Sequence, residues 1–382
     1  MVCEYDDATV AATLRAPHGD GLNPWRGLLP VNGPVPFLGE GNTPLLDAHD
    51  LGKSLGLENL WLKNEGRGAT GSFKERGAVV GLALAKEQGA RGTLTASSGN
   101  AASAVAAYSA ACGLECLVLV APGAAGNKIQ QVLAYGARVL VVEDLFRTRD
   151  GLLRILAETS QRLNLFQIFF WALSNPYTIE GMKTIAYELR EQCGDDLPDA
   201  VVVPTGGGDL FTGIWRGLRE LHRVGLIQRI PRMLAAQASG AAPLVRAVSA
   251  GAEHIAELDS VSTVASGIRV AFTGDHALRA LRESGGAVAS VADRDILVMQ
   301  RMLARQVGVW VEPTAAVAVA AIPQFLAQGD LGADERVVCV LTGAGYKDVP
   351  AESTAEVEAL LASKPLPLDS AVIASYARRQ VT

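Results

Sequence analysis

Short apolar runs alternate with longer segments of helical period along most of the chain. The runs CLVLV and VVCVL carry apolar side chains at consecutive positions, which is typical of strands buried on both faces of a parallel sheet. The predicted strands are 93–96, 116–120, 138–143, 165–170, 200–204, 233–237 and 336–341. The predicted helices are 100–111, 127–135, 152–163, 180–191, 210–222, 293–307 and 314–326. This alternation predicts an α/β fold with one or two doubly wound sheets.

Composition and charge narrow the possible classes of partner. The 382 residues are 49% hydrophobic and 19% charged, which predicts a folded chain with a sizeable core. The net charge is −6, aromatic residues make up 5%, and no dense run of Lys and Arg occurs. We therefore expect no nucleic-acid partner. No apolar stretch approaches the ~18 residues of a membrane span, so we expect no membrane partner either.

The cysteines and the N-terminal residues indicate the compartment. Five scattered cysteines form no disulfide framework, which is typical of a reducing compartment. Cys112 and Cys116 are four residues apart, but no second Cys or His pair follows at zinc-ligand spacing, so we expect no metal site. The acidic N-terminus lacks the apolar core of a signal peptide. The sequence thus predicts a cytoplasmic protein.

Two turns at predicted helix starts carry side chains suited to chemistry. Lys74 lies in the segment GSFKERG, where a lysine facing a partly dry cleft could form a Schiff base; a surface lysine is the alternative. The segment TASSGNAA, residues 95–102, follows a predicted strand, and its main-chain N–H groups would suit a carboxylate ligand. Asn100 opens the helix there, as an N-cap, as a ligand-binding group or as both.

Two further turns follow buried strands. Gly206–Gly208 would let the main chain wrap closely round a phosphate, although the segment does not match the dinucleotide-binding pattern GxGxxG. Asp209 in the next helical turn favours the helix but would repel a phosphate dianion. Thr342 in LTGAGYKD lies at the carboxyl end of a strand, where ligands of open α/β sheets bind. Together with Lys74 and Asn100, these turns provide the groups that pyridoxal 5'-phosphate requires.

Between about Asn23 and Asp348 the chain resembles the threonine synthase branch of the fold-type II enzymes, the tryptophan-synthase-β-like enzymes that use pyridoxal phosphate. The resemblance rests on seven motifs in family order. They are NPWR with LLP (23–30), EGNTPL (40–45), GSFKERG (71–77), SSGNAA (97–102), NP with EG (175–181), EP (312–313) and LTGAGYKD (341–348).

The resemblance implies a role for each candidate residue. Lys74 would bind the cofactor covalently and later act as the base. Asn100 would bond the phenolic oxygen of the cofactor, and Thr342 its pyridine nitrogen. The residues implied for the cofactor phosphate are Thr205, Gly206, Gly207, Gly208, Asp209 and Leu210. The residues implied for the substrate carboxylate are Ser97, Ser98, Gly99, Asn100 and Ala101.

The sequence departs from this family where threonine synthases bind the substrate phosphate. Those enzymes use an Asn-Ser pair before the Asn-Pro turn and an arginine two residues after it; Ala172-Leu173 and Thr178 occupy these positions here. Asp209 and Leu210 replace the usual glycine and asparagine. Thr178 is thus a predicted substrate-binding residue that cannot replace a bidentate arginine, and O-phosphohomoserine is expected to be a poor substrate. The basic residues that could reach the same space instead are Lys128, Lys183 and Arg269.

The resemblance also implies the architecture and the activity. We expect two doubly wound open-sheet domains with the cofactor in the cleft between them. The expected division is an N-terminal arm and part of the large domain at 1–62, the small domain at 63–171, the rest of the large domain at 172–363 and a tail at 364–382. The turn signal Ser174-Asn175-Pro176 supports the boundary near residue 172.

The implied activity is that of a homodimeric lyase that eliminates or replaces a β- or γ-substituent of an amino acid. Two alternatives remain. A serine/threonine ammonia-lyase is favoured by the segment GGGDL. A catalytically degenerate paralogue that binds an amino acid or a partner protein is disfavoured by the presence of Lys74.

Overall fold

The computed structural model describes residues 3–16, 19–123, 126–171, 175–194, 196–348, 358 and 362, with residues 126–128 as backbone alone. Met1–Asp348 form one compact unit and Val349–Thr382 form another. The tail predicted at 364–382 lies outside the described residues. The site and both sheets belong to the first unit.

The strands and helices alternate along the first unit, as an α/β fold requires. The strands are β1 Leu45–Asp47, β2 Asn59–Asn64, β3 Gly92–Ala96, β4 Glu115–Val120, β5 Arg138–Val141, β6 Leu165–Gln167, β7 Ala200–Pro204, β8 Arg232–Ala238, β9 Val288–Val291 and β10 Arg336–Leu341. The helices are α1 Asp7–Arg15, α2 His49–Leu55, α3 Lys74–Glu87, α4 Asn100–Ala111, α5 Gly126–Ala134, α6 Arg149–Leu163, α7 Tyr177–Met182, α8 Thr184–Cys193, α9 Asp209–Arg223, α10 Pro243–Ser249, α11 Asp275–Glu283, α12 Asp293–Met302, α13 Pro313–Ala320 and α14 Ile322–Gln328.

The larger sheet has six strands in the order β1-β2-β10-β7-β8-β9. Only β1 runs antiparallel to its neighbour within this sheet. The central strand β10 carries the apolar run VVCVL because both of its faces are buried. Val337, Cys339 and Leu341 pack into the core on one face, while Val338 and Val340 pack into the core on the other. Helices therefore cover both faces, as in other parallel sheets.

The smaller sheet has four parallel strands in the order β5-β4-β3-β6. In β4, Val118 and Val120 belong to the core that α3 and α4 cover, whereas Leu117 and Leu119 belong to the core on the opposite face with α6. Each sheet is thus a doubly wound layer with its own pair of apolar cores. The predicted fold class is confirmed.

All seven predicted strands are present, but some predicted elements end or divide differently. Strand β6 ends at Gln167, because the following aromatic residues leave the sheet and line a cavity. The predicted helix 314–326 is two helices, and Pro323 stands in the first turn of the second, where a missing N–H costs nothing. The predicted helix 180–191 is likewise divided, at Lys183. The pattern missed β1, β2 and β9.

Candidate active site

The carboxyl ends of strands from both sheets open onto one cavity of about 730 Å³. This is the edge at which ligands of open parallel sheets bind. Most of the predicted site residues line this cavity. They are Lys74, Ser97–Ala101, Thr205–Leu210 and Thr342. The structure thus brings together residues that are up to 268 positions apart (342 − 74).

Lys74 is the first residue of α3 and lies against aromatic rings. Its Nζ lies 4.6 Å from the ring centroid of Phe73 and 4.7 Å from that of Phe170. Burial lowers the pKa of Lys74 to about 8, although the carboxylates of Asp209 and Glu312 partly oppose this shift. At pH 7 roughly a tenth of such an amine is neutral, far more than for an ordinary lysine. Lys74 is therefore not the surface lysine of the alternative interpretation.

Asn100 stands in the first turn of α4 but does not cap it. Gly99 is the N-cap residue, and its own N–H group donates to the Ser97 Oγ at 3.1 Å. The Nδ2 of Asn100 instead donates to Glu312 Oε2 at 2.8 Å. The N-cap interpretation of Asn100 is therefore not the one that the structure adopts, and its amide group lies at the cavity.

Glu312 connects the polar groups of the cavity. It is 3% exposed at the N-cap position of α13, and its Oε1 accepts a hydrogen bond from the Thr342 hydroxyl at 3.4 Å. A Cβ at Gly343 would lie 2.7 Å from this carboxylate, so a side chain there would displace it. In the sequence, Glu312 stands out only as part of the EP motif. A buried acidic residue directly before a helix-initiating proline is the signal that could have assigned it to the site.

The glycine-rich turn is held from behind by hydrogen bonds to its carbonyl groups. Gln237 Nε2 donates to Thr205 O at 3.0 Å, Thr273 Oγ1 to Gly206 O at 2.7 Å, and the Gly274 N–H to Gly207 O at 3.0 Å. These carbonyl groups are thereby engaged on the side away from the cavity. The first N–H groups of α9 have no partner within the helix, and such a turn suits a phosphate. Gly208 has a φ of +98°, which also favours glycine.

Asp209 is the acidic residue of this turn. It is 5% exposed, and its Oδ1 lies 3.2 Å from the Nε2 of His276 in α11. The next residue, Leu210, is buried in the core beneath the helix. The His276 partnership was not anticipated, because nothing in the sequence relates α11 to this turn.

Thr178 is not brought to the cavity. It is fully buried in α7, its hydroxyl donates to the Asn175 carbonyl at 3.1 Å, and it packs against the backbone of Gly77. Ala172 and Leu173 lie outside the described residues. Thr178 therefore does not by itself make O-phosphohomoserine a poor substrate, because it does not face the cavity.

Neither a metal site nor a membrane span is found among the described residues. Within the described ranges, no three His, Cys, Asp or Glu side chains come together as metal ligands. Every helix in the same part of the chain is too short or too polar to span a bilayer.

Comparisons with known proteins find similar sequences over most of the chain. The profile described as "Pyridoxal-phosphate dependent enzyme" matches residues 36–343. Threonine synthase of Methanocaldococcus jannaschii is 38% identical over 341 residues, covering 87% of this chain and 83% of that protein. Threonine synthase of Methanosarcina acetivorans is 38% identical over 324 residues, covering 84% of this chain and 78% of that protein.

Solved structures agree on the fold. Maize serine racemase superimposes with a TM-score of 0.71 at 26% identity, covering 84% of this chain and 92% of that one. A threonine deaminase from T.th. superimposes with a TM-score of 0.67 at 29% identity, covering 80% of this chain and 92% of that one.

Proposed function

This chain belongs to the pyridoxal-phosphate dependent enzymes, and we propose that it is a lyase of threonine-synthase type that eliminates or replaces a β- or γ-substituent of an amino acid. One observation carries the proposal: the Lys74 amine shares a single cavity with the glycine-rich turn 205–210 and the turn 97–101. The curated threonine synthases, at 38% identity over most of the chain, support the same activity and do not favour the two alternatives.

The residues fit the cofactor in three respects. The Lys74 amine lies beside two phenylalanine rings and has a lowered pKa, as a covalently binding lysine requires. The turn 205–210 has its carbonyl groups engaged from behind, and a side chain at Gly207 would meet open space, so its main chain can approach a phosphate. Asn100 and Thr342 bring uncharged amide and hydroxyl groups to the cavity, where both now donate to Glu312. We propose that they would bond the phenolic oxygen and the pyridine nitrogen of the cofactor.

When bound, pyridoxal phosphate acts as an electron sink that stabilises negative charge at the substrate Cα. The chain itself moves the proton. With a pKa near 8, the Lys74 amine is basic enough to accept the Cα proton and acidic enough to return it. A neutral Thr342 hydroxyl leaves the ring less electron-withdrawing than a carboxylate partner would, which favours elimination and replacement over transamination.

The turn 97–101 would bind the substrate carboxylate. It leads into α4, a helix of 12 residues whose first two residues line the cavity, and the N-terminus of a helix favours an anion. The Ser97 side chain already braces this turn by accepting the Gly99 N–H. An amino acid held there presents its side chain to the remaining volume of the cavity.

An anionic leaving group would meet Arg269 in that volume. Of the basic residues considered for this role, Lys183 is excluded because it is fully buried between Glu180 at 2.8 Å and Glu220 at 3.0 Å. The side chain of Lys128 lies outside the described part of the chain. Arg269 lines the cavity and is solvent-accessible. We therefore infer that a phosphorylated amino acid such as O-phosphohomoserine can be accommodated through Arg269.

We further propose that the enzyme is a cytoplasmic homodimer with the domain division given by the sequence. The five cysteines are free thiols, which is consistent with a reducing compartment. The strands of the small sheet, from β3 to β6, all fall within 63–171, which is consistent with a separate small domain.

A product assay tests the proposed activity. The purified holoenzyme is incubated with O-phosphohomoserine, O-acetylated homoserine, L-serine or L-threonine, and products are measured by mass spectrometry. We expect L-threonine from a homoserine ester. Formation of 2-oxo acids from free serine or threonine without threonine synthesis would favour an ammonia-lyase. No turnover of any of these compounds by a cofactor-loaded protein would favour a binding protein.

A further inference from the structure

We propose that His276 is a positioning residue for the cofactor phosphate: when protonated, it balances the charge of Asp209, which would otherwise repel the phosphate from the glycine-rich turn. This inference rests on the proposed function, because it assumes that turn 205–210 binds the phosphate of pyridoxal phosphate.

A carboxylate in this turn needs compensation. Asp209 is the first residue of α9, is 5% exposed and lines the cavity. A phosphate monoester carries between one and two negative charges at neutral pH. A second anion in the same poorly hydrated turn opposes its binding, since like charges interact strongly where water is excluded. Without a positive charge nearby, Asp209 would therefore weaken phosphate binding by the turn 205–210.

His276 approaches Asp209 from behind the turn. Its Nε2 is buried and lies 3.2 Å from Asp209 Oδ1, an ion-pair distance without hydrogen-bond geometry, and the imidazole does not line the cavity. The ring lies over Gly274, whose N–H group donates to Gly207 O. The turn packs closely against α11 here: a Cβ at Gly208 would lie 2.6 Å from the Ala277 Cβ and 3.3 Å from the His276 Nε2. The imidazole is thus built into the back of the turn.

Two carboxylates feel the charge of His276: Asp209 and the adjacent Asp275. Asp275 also has partners of its own, since its Oδ2 lies 2.8 Å from His254 Nδ1 and its Oδ1 accepts the Ile255 N–H at 2.9 Å. On the cavity side, Asp209 favours the ammonium form of Lys74. A test must therefore separate an effect on the phosphate from an effect on the lysine.

Comparing pyridoxal phosphate with pyridoxal makes that separation. Both react with Lys74, but only the first has a phosphate group. The dissociation constants of both are measured by absorbance titration of the cofactor-free full-length chain, for the wild type, His276→Gln, Asp209→Asn and the double variant. We expect His276→Gln to weaken pyridoxal phosphate about tenfold, because the loss of one charged contact changes an affinity by about that factor. Its effect on pyridoxal should stay within about twofold.

The double variant gives the decisive comparison. If His276 acts through the charge of Asp209, then adding Asp209→Asn to His276→Gln restores the affinity for pyridoxal phosphate. Equal losses for both ligands, or no restoration in the double variant, would overturn the inference and indicate a purely structural role. Failure of the proposed function would look different, because the wild-type chain would then bind neither ligand at Lys74.

Discussion

The side-chain amide of Asn100 donates a hydrogen bond of 2.8 Å to the carboxylate of Glu312, 212 positions further along the chain. The first residue stands on a helix that packs against the four-stranded sheet, and the second begins a helix that packs against the six-stranded sheet. The same carboxylate accepts from Thr342 and raises the pKa of Lys74 against the effect of burial. Glu312 is therefore the electrostatic link between the groups of the cavity.

Replacing Glu312 with Gln should lower the pKa of Lys74 further. A carboxylate favours the charged ammonium, so its removal leaves burial less opposed, and the neutral amine dominates from a lower pH. In the cofactor-free chain, the rate of reaction of Lys74 with pyridoxal should rise through a midpoint near pH 8 in the wild type. We expect a midpoint below that in the variant, measured by stopped-flow absorbance between pH 6 and pH 10.

Glu257→Gln is the matched control for this shift. Glu257 also lines the cavity, but its side chain is 48% exposed and pairs with Arg149 at 3.2 Å. Water and Arg149 screen the Glu257 carboxylate, so Glu257→Gln should leave the pH midpoint of the Lys74 reaction unchanged. An upward shift in Glu312→Gln, or equal shifts in both variants, would contradict the role given to Glu312.

Borohydride reduction of the holoenzyme should fix the cofactor to Lys74. We expect peptide mapping to find the adduct on this residue, and Lys74→Arg to lose the cofactor absorbance band and at least ~10²-fold in kcat, the scale of general-base catalysis. Lys347→Arg is the control, because Lys347 also lines the cavity. An adduct on Lys347 or on the buried Lys63 would refute the assignment.

The fold could be predicted where apolar side chains alone decide the structure. The runs in β4 and β10 are buried on both faces, so their pattern predicts strands directly. Strand β2 was missed because its sequence, NLWLKN, includes Lys63, which does not follow the apolar pattern. That lysine is fully buried, and its Nζ lies 2.6 Å from Glu188 on α8. A strand that depends on a distant ion pair has no local signal.

The site was predictable to a similar extent. Turns rich in glycine and hydroxyl groups mark the ends of strands, so Lys74, Asn100 and Thr342 could be found from local sequence. The partners of these residues could not. Glu312 and His276 meet them only through the packing of helices that are distant in sequence. For Thr178 the sequence was misleading. Its position after the Asn-Pro motif predicted substrate binding, but its side chain is fully buried.

Arg76 should be essential for stability. Fully buried in α3, its guanidinium lies 2.6 Å from both Glu65 and Glu188, and the latter also pairs with Lys63. Arg76→Met leaves carboxylates in the interior without their partner, which costs roughly 3–5 kcal/mol of the free energy of unfolding. Urea denaturation measures the loss. Lys53→Met, which removes an exposed pair with Asp50 at 4.0 Å, should change stability by less than ~0.5 kcal/mol.

Arg269 should decide whether a phosphorylated side chain is accepted. It lines the cavity and directly follows a short helical segment, Ser266–Ile268. Removing a charged donor to a phosphate costs about 1.5 kcal/mol at a partly exposed site, or roughly tenfold. We therefore expect Arg269→Gln to raise the KM for O-phosphohomoserine about tenfold, through weaker binding of the phosphorylated side chain.

A matched arginine and an uncharged substrate complete this test. Arg294 is also exposed but lies outside the cavity lining, so Arg294→Gln should leave the KM unchanged. With O-acetylhomoserine, which has no dianion to lose, Arg269→Gln should behave as the wild type. An equal increase in KM for both esters would show that Arg269 shapes the pocket without binding the phosphate. An unchanged KM for O-phosphohomoserine would mean that another group binds the leaving group, since a dianion in this cavity requires a positive partner.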